Sequence, residues 1–194
     1  MGIDTEEVLL AVGNKRNFLP LRSGLVGRHC IGVDAYCLTH EAQEIGYHPE
    51  MILAGTLIGH TIGTNVAGEI IRLMAGKRIR LKGSRVLVLG LAVKENCPDL
   101  RNSKVVDVFR ELQRHGAKVD LYDPWVESAE ATQEYGIRPV SRMKRATYDG
   151  EVLVVAHQVF KKMNAKELRR FGRRNHIFYD IKSTFPADQV DGRR

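Results

Sequence analysis

Apolar residues recur at three- and four-residue steps along 51–74, through Leu53, Leu57, Ile58, Ile62, Val66, Ile70, Leu73 and Met74. That period predicts one long helix. Gly55, Gly59, Gly63 and Gly68 fall in the same stretch and lower its intrinsic helicity. Close packing against a neighbouring helix would offset the loss, so the segment is either a spine for dimerisation or a plain core helix. Upstream, Asp4 or Thr5 can cap a short helix to Val12, and Val8, Leu9 and Val12 share one face. Residues 14–33 read as an ordered loop, and 37–45 as a helix stopped by Gly46, with Pro49 opening the next segment.

Beyond Gly83 the pattern changes. Strands are expected at 85–91, 118–122, 151–156 and 176–181, alternating with helices at 103–115, 128–135 and 164–171. Continuous apolar runs such as Val152-Leu153-Val154-Val155-Ala156 suit parallel strands covered on both faces. Right-handed crossovers would stack them into an open, Rossmann-like sheet. The expected fold class is α/β, a central helical segment followed by a parallel-sheet domain. The boundary is placed at Gly83, giving units 1–82 and 83–194.

Composition adds limits rather than a function. The apolar fraction of 43% is that of an ordinary globular chain. A formal charge of +7 suits anionic partners. The basic residues are dispersed, however, and neither zinc-finger spacing nor an RNA-binding aromatic signature is present, so nucleic acid is not expected. Cys30, Cys37 and Cys97 form no metal pattern and no disulfide framework, and the seven histidines show no ligand spacing. The first residues hold no signal-peptide core, and no apolar run is long enough to span a bilayer. A reduced, cytoplasmic protein is expected.

Two stretches carry chemical potential. In Gly24-Leu25-Val26-Gly27-Arg28-His29-Cys30-Ile31-Gly32-Val33-Asp34, glycines allow a tight bend before a thiol, and an aspartate follows. Cys30 is either a nucleophile or a small buried hydrophobe. The second stretch, Val88-Leu89-Gly90-Leu91-Ala92, opens like a dinucleotide fingerprint but lacks its later glycines. The loop after it holds Lys94, Asp99 and Arg101, and Ser103 can cap the next helix. A diphosphate lying across Lys94, Arg101 and the helix amides is one reading, a solvated loop the other. Asp123, at the end of the second strand, is either a ribose reader or a turn-forming Asx residue.

Together these stretches resemble the UDP-glucose/GDP-mannose dehydrogenase family, whose enzymes oxidise the C6 alcohol of a nucleotide sugar to a carboxylate with two NAD⁺. Gly24–Asp34 is similar to the family's G-x-x-G-G-H-C-I-x-V-D-P-Y loop, and residues 88–103 to its G-L-x-F-K-x-x-x-x-D-x-R-x-S segment. Asn17-Phe18-Leu19-Pro20, the Tyr122-Asp123-Pro124 turn and Tyr179-Asp180-Ile181-Lys182 also fit. The resemblance implies Cys30 as catalytic thiol and Asp34 as its associated aspartate. It implies substrate contacts from Gly24, Gly27, Arg28 and Lys94, and a cofactor contact from Arg101. It further implies a UDP-binding sheet domain, a homodimer or higher oligomer through 51–74, and UDP-N-acetylhexosamines for bacterial surface polysaccharide as substrates. Arg28 stands where the family has glycine, and Ala35 where it has proline. The resemblance covers the back half of the family. The NAD domain and the catalytic lysine have no counterpart in these residues, so the expectation is a part of such an enzyme without turnover alone. The rival expectation is a non-catalytic UDP-sugar-binding and dimerisation module.

Overall fold

The computed structural model describes residues 3–22, 24–25, 27 and 33–193, without the side chains of Ile58 and His60. Cys30 and Arg28 lie outside the described residues.

The chain opens with helix α1 (Thr5–Val12), whose N-terminus is capped by Asp4 accepting from the Glu7 N–H at 3.1 Å. Helices α2 (Ala35–Glu44) and α3 (Glu50–Gly76) follow. The remaining elements alternate: β1 (Arg85–Leu89), α4 (Val105–Arg114), β2 (Lys118–Tyr122), α5 (Ser128–Tyr135) and β3 (Tyr148–Leu153). Then come α6 (Gln158–Lys162), α7 (Ala165–Leu168), β4 (Gly172–Asp180), a 3-10 turn at Ala187–Gln189 and β5 (Gly192–Arg193).

The five strands form one parallel sheet in the order β2-β1-β3-β4-β5. The expected parallel α/β fold is therefore present, with two additions. Helix α6 falls between the expected strand 151–156 and helix 164–171, where no element was assigned, and β5, only two residues long, has too little sequence to carry a pattern. Strand β3 also begins earlier than its apolar run, because Tyr148 and Asp149 pair or pack at the sheet's start.

Alternate side chains of each strand serve two cores. Val86, Val88, Val152, Val154 and Ile177 face α3, α4 and α5, while Leu87, Leu89, Leu153 and Phe178 face α6 and α7. Each fully buried aliphatic side chain contributes about 1.5–3 kcal/mol. The last turns of α3 belong to the first core through Val66, Ala67, Ile70 and Met74, so the two expected units, 1–82 and 83–194, share it. Among the described residues no helix is long and apolar enough to cross a membrane.

Candidate functional site at the carboxyl edge of the sheet

In an open parallel sheet, ligands collect where crossovers from neighbouring strands leave in opposite directions, beyond the carboxyl ends. Here that point lies between β1 and β3. Gly90 leaves β1 at φ +95, and a Cβ there would sit 2.5 Å from the Cβ of Val155. Only glycine allows the two strand ends to approach so closely.

The loop from Leu91 to Lys104 is held from several sides. Asp123 Oδ2 accepts from the N–H groups of Leu91 (2.6 Å) and Ala92 (3.0 Å), and from His157 Nε2 at 3.0 Å. Its Oδ1 accepts from the Trp125 N–H at 2.8 Å. Asn96 donates its N–H to His157 Nδ1 at 2.9 Å, which fixes the Nε2–H tautomer, and Asn96 Oδ1 accepts from the Gln158 N–H. Burial pushes the Asp123 carboxyl up, but the His157 hydrogen bond and the two amides outweigh it and hold the group below the usual carboxylate range. Further along, the Ser103 hydroxyl donates to the Leu91 carbonyl at 2.6 Å, and the Ser103 N–H donates to the Tyr135 hydroxyl.

This network decides the two readings of Asp123 in favour of the turn. Its oxygens are spent on backbone and histidine, and it is buried, so it does not present a carboxylate to a ribose. The same bonds consume the Leu91 and Ala92 amides that a dinucleotide pyrophosphate would use. Ala92 and Glu95 also stand where later fingerprint glycines would allow close approach. The residues at this edge do not fit NAD.

They do fit a smaller anion. A cavity of about 360 Å³ opens beside the loop. Its walls are Leu25 and Gly27 from the N-terminal segment, residues 92–95 and 103–105, Val154 and Val155 after β3, and Lys182 after β4. Lys94, Lys104 and Lys182 bring three cations, and Glu95 one anion. The start of α4 adds the positive end of the helix dipole, although the N–H groups of Val105, Val106 and Asp107 already donate to the Ser103 hydroxyl and the Ser103 and Lys104 carbonyls. Lys104 faces Asp107 at 3.4 Å, whereas Lys94 has no ion pair among the described residues.

The structure thus joins part of the expected set. Lys94 and Gly27 line the cavity, and a Cβ on Gly24 would lie 3.0 Å from Lys182 Nζ. Gly27 runs against the loop so closely that a Cβ would sit 2.5 Å from the Asn102 carbonyl oxygen. Arg101 does not join Lys94: its side chain is 80% exposed and pairs with Asp99 at 3.0 Å, outside the cavity wall. Asp34 is exposed at the start of α2 and also lies outside that wall. Ser103 spends its hydroxyl proton on Leu91 rather than serving only as a cap. Lys104, Lys182 and His157 were missed as site residues. The signals for Lys182 are its place just beyond an apolar strand end, two residues after Asp180, and its membership of the family-like stretch Tyr179-Asp180-Ile181-Lys182.

Fold and site define an α/β protein with a lysine-lined cavity at the switch point of a parallel sheet, the place where nucleotide-binding domains of this class hold their ligands. The profile described as "UDP-glucose/GDP-mannose dehydrogenase family, UDP binding domain" matches residues 87–187, and that described as the family's central domain matches 1–59. The chain belongs to the UDP-glucose/GDP-mannose dehydrogenase family. It is 52% identical, over 98% of its length, to the UDP-N-acetyl-D-glucosamine 6-dehydrogenase of Pseudomonas aeruginosa, and 51% identical over its whole length to that of Salmonella typhi. It spans 45% of each of those relatives. An NDP-N-acetyl-D-galactosaminuronic acid dehydrogenase from Methanosarcina mazei shares the fold, with a TM-score of 0.82 at 20% identity, over 97% of this chain and 42% of that one. Family members use NAD, and the part of the family seen here is its central and UDP-binding regions.

Proposed function

We propose that these residues form the UDP-sugar-binding part of a UDP-N-acetylhexosamine 6-dehydrogenase, with the diphosphate held in the cavity of Lys94, Lys104 and Lys182. The observation that carries the reading is the convergence of three lysines and a helix N-terminus at the β1/β3 switch point. The names of the two relatives at about half identity support the substrate class. In the whole protein, oxidation of the C6 alcohol to a uronate would serve surface polysaccharide synthesis in the cytoplasm. Cys30 is proposed as its nucleophile, Asp34 as the aspartate beside it, Gly24, Gly27 and Arg28 as sugar-nucleotide contacts, and Arg101 as a contact to NAD held elsewhere. Homodimerisation through α3 belongs to the same proposal, as does a division into a helical unit 1–82 and a UDP-binding unit 83–194. For the 194 residues by themselves, the misfit of the sheet edge to NAD favours binding without turnover.

Calorimetry on the purified chain tests this reading. UDP is expected to bind, NAD⁺ at least about tenfold more weakly, and Lys94→Ala to cost UDP about 1.5–3 kcal/mol, the worth of a charge-assisted contact. No NADH should form from UDP-N-acetylglucosamine and NAD⁺. Equal affinity for UDP and NAD⁺, or normal UDP binding by Lys94→Ala, would overturn the placement.

A further inference from the structure

The cavity wall carries an anion where a phosphate site would be expected to exclude one. Glu95 follows Lys94 directly, and its carboxylate lies 2.5 Å from Lys161 Nζ and 4.0 Å from Lys182 Nζ. It is not free to swing away with a mobile loop. The next residue, Asn96, is bolted to the β3–α6 connection through its N–H on His157 and its side-chain oxygen on the Gln158 N–H. Glu95 also lines a second cavity, of about 530 Å³, which it shares with Lys182 and which Lys161 also lines. The carboxylate is therefore fixed at the junction of two cavities and draws on the charge of two lysines.

Charge arithmetic gives this a consequence. The first cavity's wall holds Lys94, Lys104 and Lys182 against Glu95, three positive charges and one negative. The ions just behind it, Asp107 on Lys104 and Lys161 on Glu95, add one of each sign and leave the balance at two positive. A nucleotide sugar is a diphosphate diester and carries two negative charges. Free UDP has an ionisable terminal phosphate with a second pKa of about 6, and so carries close to three at pH 8. We propose that Glu95 is a specificity-determining residue of this cavity, setting its charge to match a UDP-sugar and disfavouring free UDP. The proposal rests on the diphosphate occupying the cavity. Glu95 penalises every anionic ligand there, but the penalty grows with ligand charge, so it falls hardest on the nucleotide without its sugar.

The test compares UDP and UDP-N-acetylglucosamine by calorimetry at pH 8 and low salt, with chelator present, for wild type and two variants. Glu95→Gln keeps the shape and removes the charge. It should tighten both ligands and shift their affinity ratio towards UDP by about threefold, the worth of one unit charge roughly 8 Å away in a solvated cleft. Lys161→Met takes away the cation closest to Glu95 and should move the ratio the opposite way, which keeps the proposal testable should the first variant melt early. An unchanged ratio in either folded variant, with both ligands still bound, overturns the role of Glu95 and leaves the placement of the diphosphate standing. Failure of the wild type to bind either ligand overturns the reading of the cavity and this proposal with it.

Discussion

The two halves of α3 behave as parts of different molecules. Its C-terminal turns bury Val66, Ala67, Ile70 and Met74 at 1% exposure or less. Its N-terminal turns leave Met51 90% and Leu57 66% exposed. The contrast extends to what each half adjoins. Beside the buried half lies a sheet with a core on both faces. Beside the exposed half lies α2, whose only buried residue is Thr39. Ile45 and Tyr47 are exposed there as well. A helix broken by glycines is worth forming only where tertiary packing covers it. For the second half the sheet supplies that packing within the chain. For the first half, cover by a second copy is the proposal made above.

The largest effect that would sharpen this contrast lies inside the sheet unit. Glu151 on β3 is fully buried, and neither carboxylate oxygen has a well-formed hydrogen bond, the Gly172 N–H giving it only weak support. Burial pushes its pKa from 4.5 up to about 8, an effect that the nearby Arg169 charge only partly offsets. His176 lies 3.8 Å away, and burial and the same arginine lower its pKa. Its Nδ1 meets the Arg173 carbonyl and its Nε2 the Arg169 guanidinium, so a protonated His176 is not available to neutralise the carboxylate. The stability that comes from keeping Glu151 protonated is complete below about pH 4.5 and is lost as pH rises through about 8, by as much as about 5 kcal/mol. The histidine acts in the opposite sense, its contribution present above its ordinary pKa and lost on acidification. Between about pH 6.5 and 8, above the range in which the histidine acts, Glu151 should therefore set most of the decline in stability. In urea unfolding, Glu151→Gln is expected to flatten that slope, and an equally steep decline in the variant would remove the carboxylate as its cause.

Next in size is the contrast along α3 itself. Ile70→Ala should cost about 2–5 kcal/mol, because it opens a cavity in the sheet's core. Leu57→Ala should cost less than about 0.5 kcal/mol in a dilute monomer. If sedimentation finds a dimer at micromolar concentration, Leu57→Asp should dissociate it while leaving the sheet unit folded. Equal destabilisation by Ile70→Ala and Leu57→Ala, independent of protein concentration, would break the comparison.

The smallest expected effect is a near-zero one. Arg101→Ala should leave UDP affinity within about twofold, since the guanidinium is exposed and paired with Asp99 rather than turned towards Lys94. A tenfold loss in calorimetry would place Arg101 at the phosphates after all.

Much of the architecture was legible because it is written in local chemistry. Asp4 caps α1, Gly136 stops α5 in a left-handed turn, and the runs at Val86–Leu89 and Lys118–Tyr122 become strands. Each of these depends on propensities and periods within a few residues. The features that escaped are short or non-local. Strand β5 spans two residues and exists because β4 offers it an edge. Helix α6 is five residues, too few for a period.

The site divides the same way. That a glycine turn, Lys94 and the start of a helix would lie at a strand's end followed from the sequence alone, since they are neighbours along the chain. Only the folded chain could bring Lys182 and Gly27 to the same cavity, turn Arg101 away from it, and commit Asp123 to His157 and two backbone amides. A side chain's chemical type is fixed by sequence, but its partners are fixed by which strands pair. The order β2-β1-β3-β4-β5, which set those partners here, is the outcome of packing two cores at once and is encoded in no single segment.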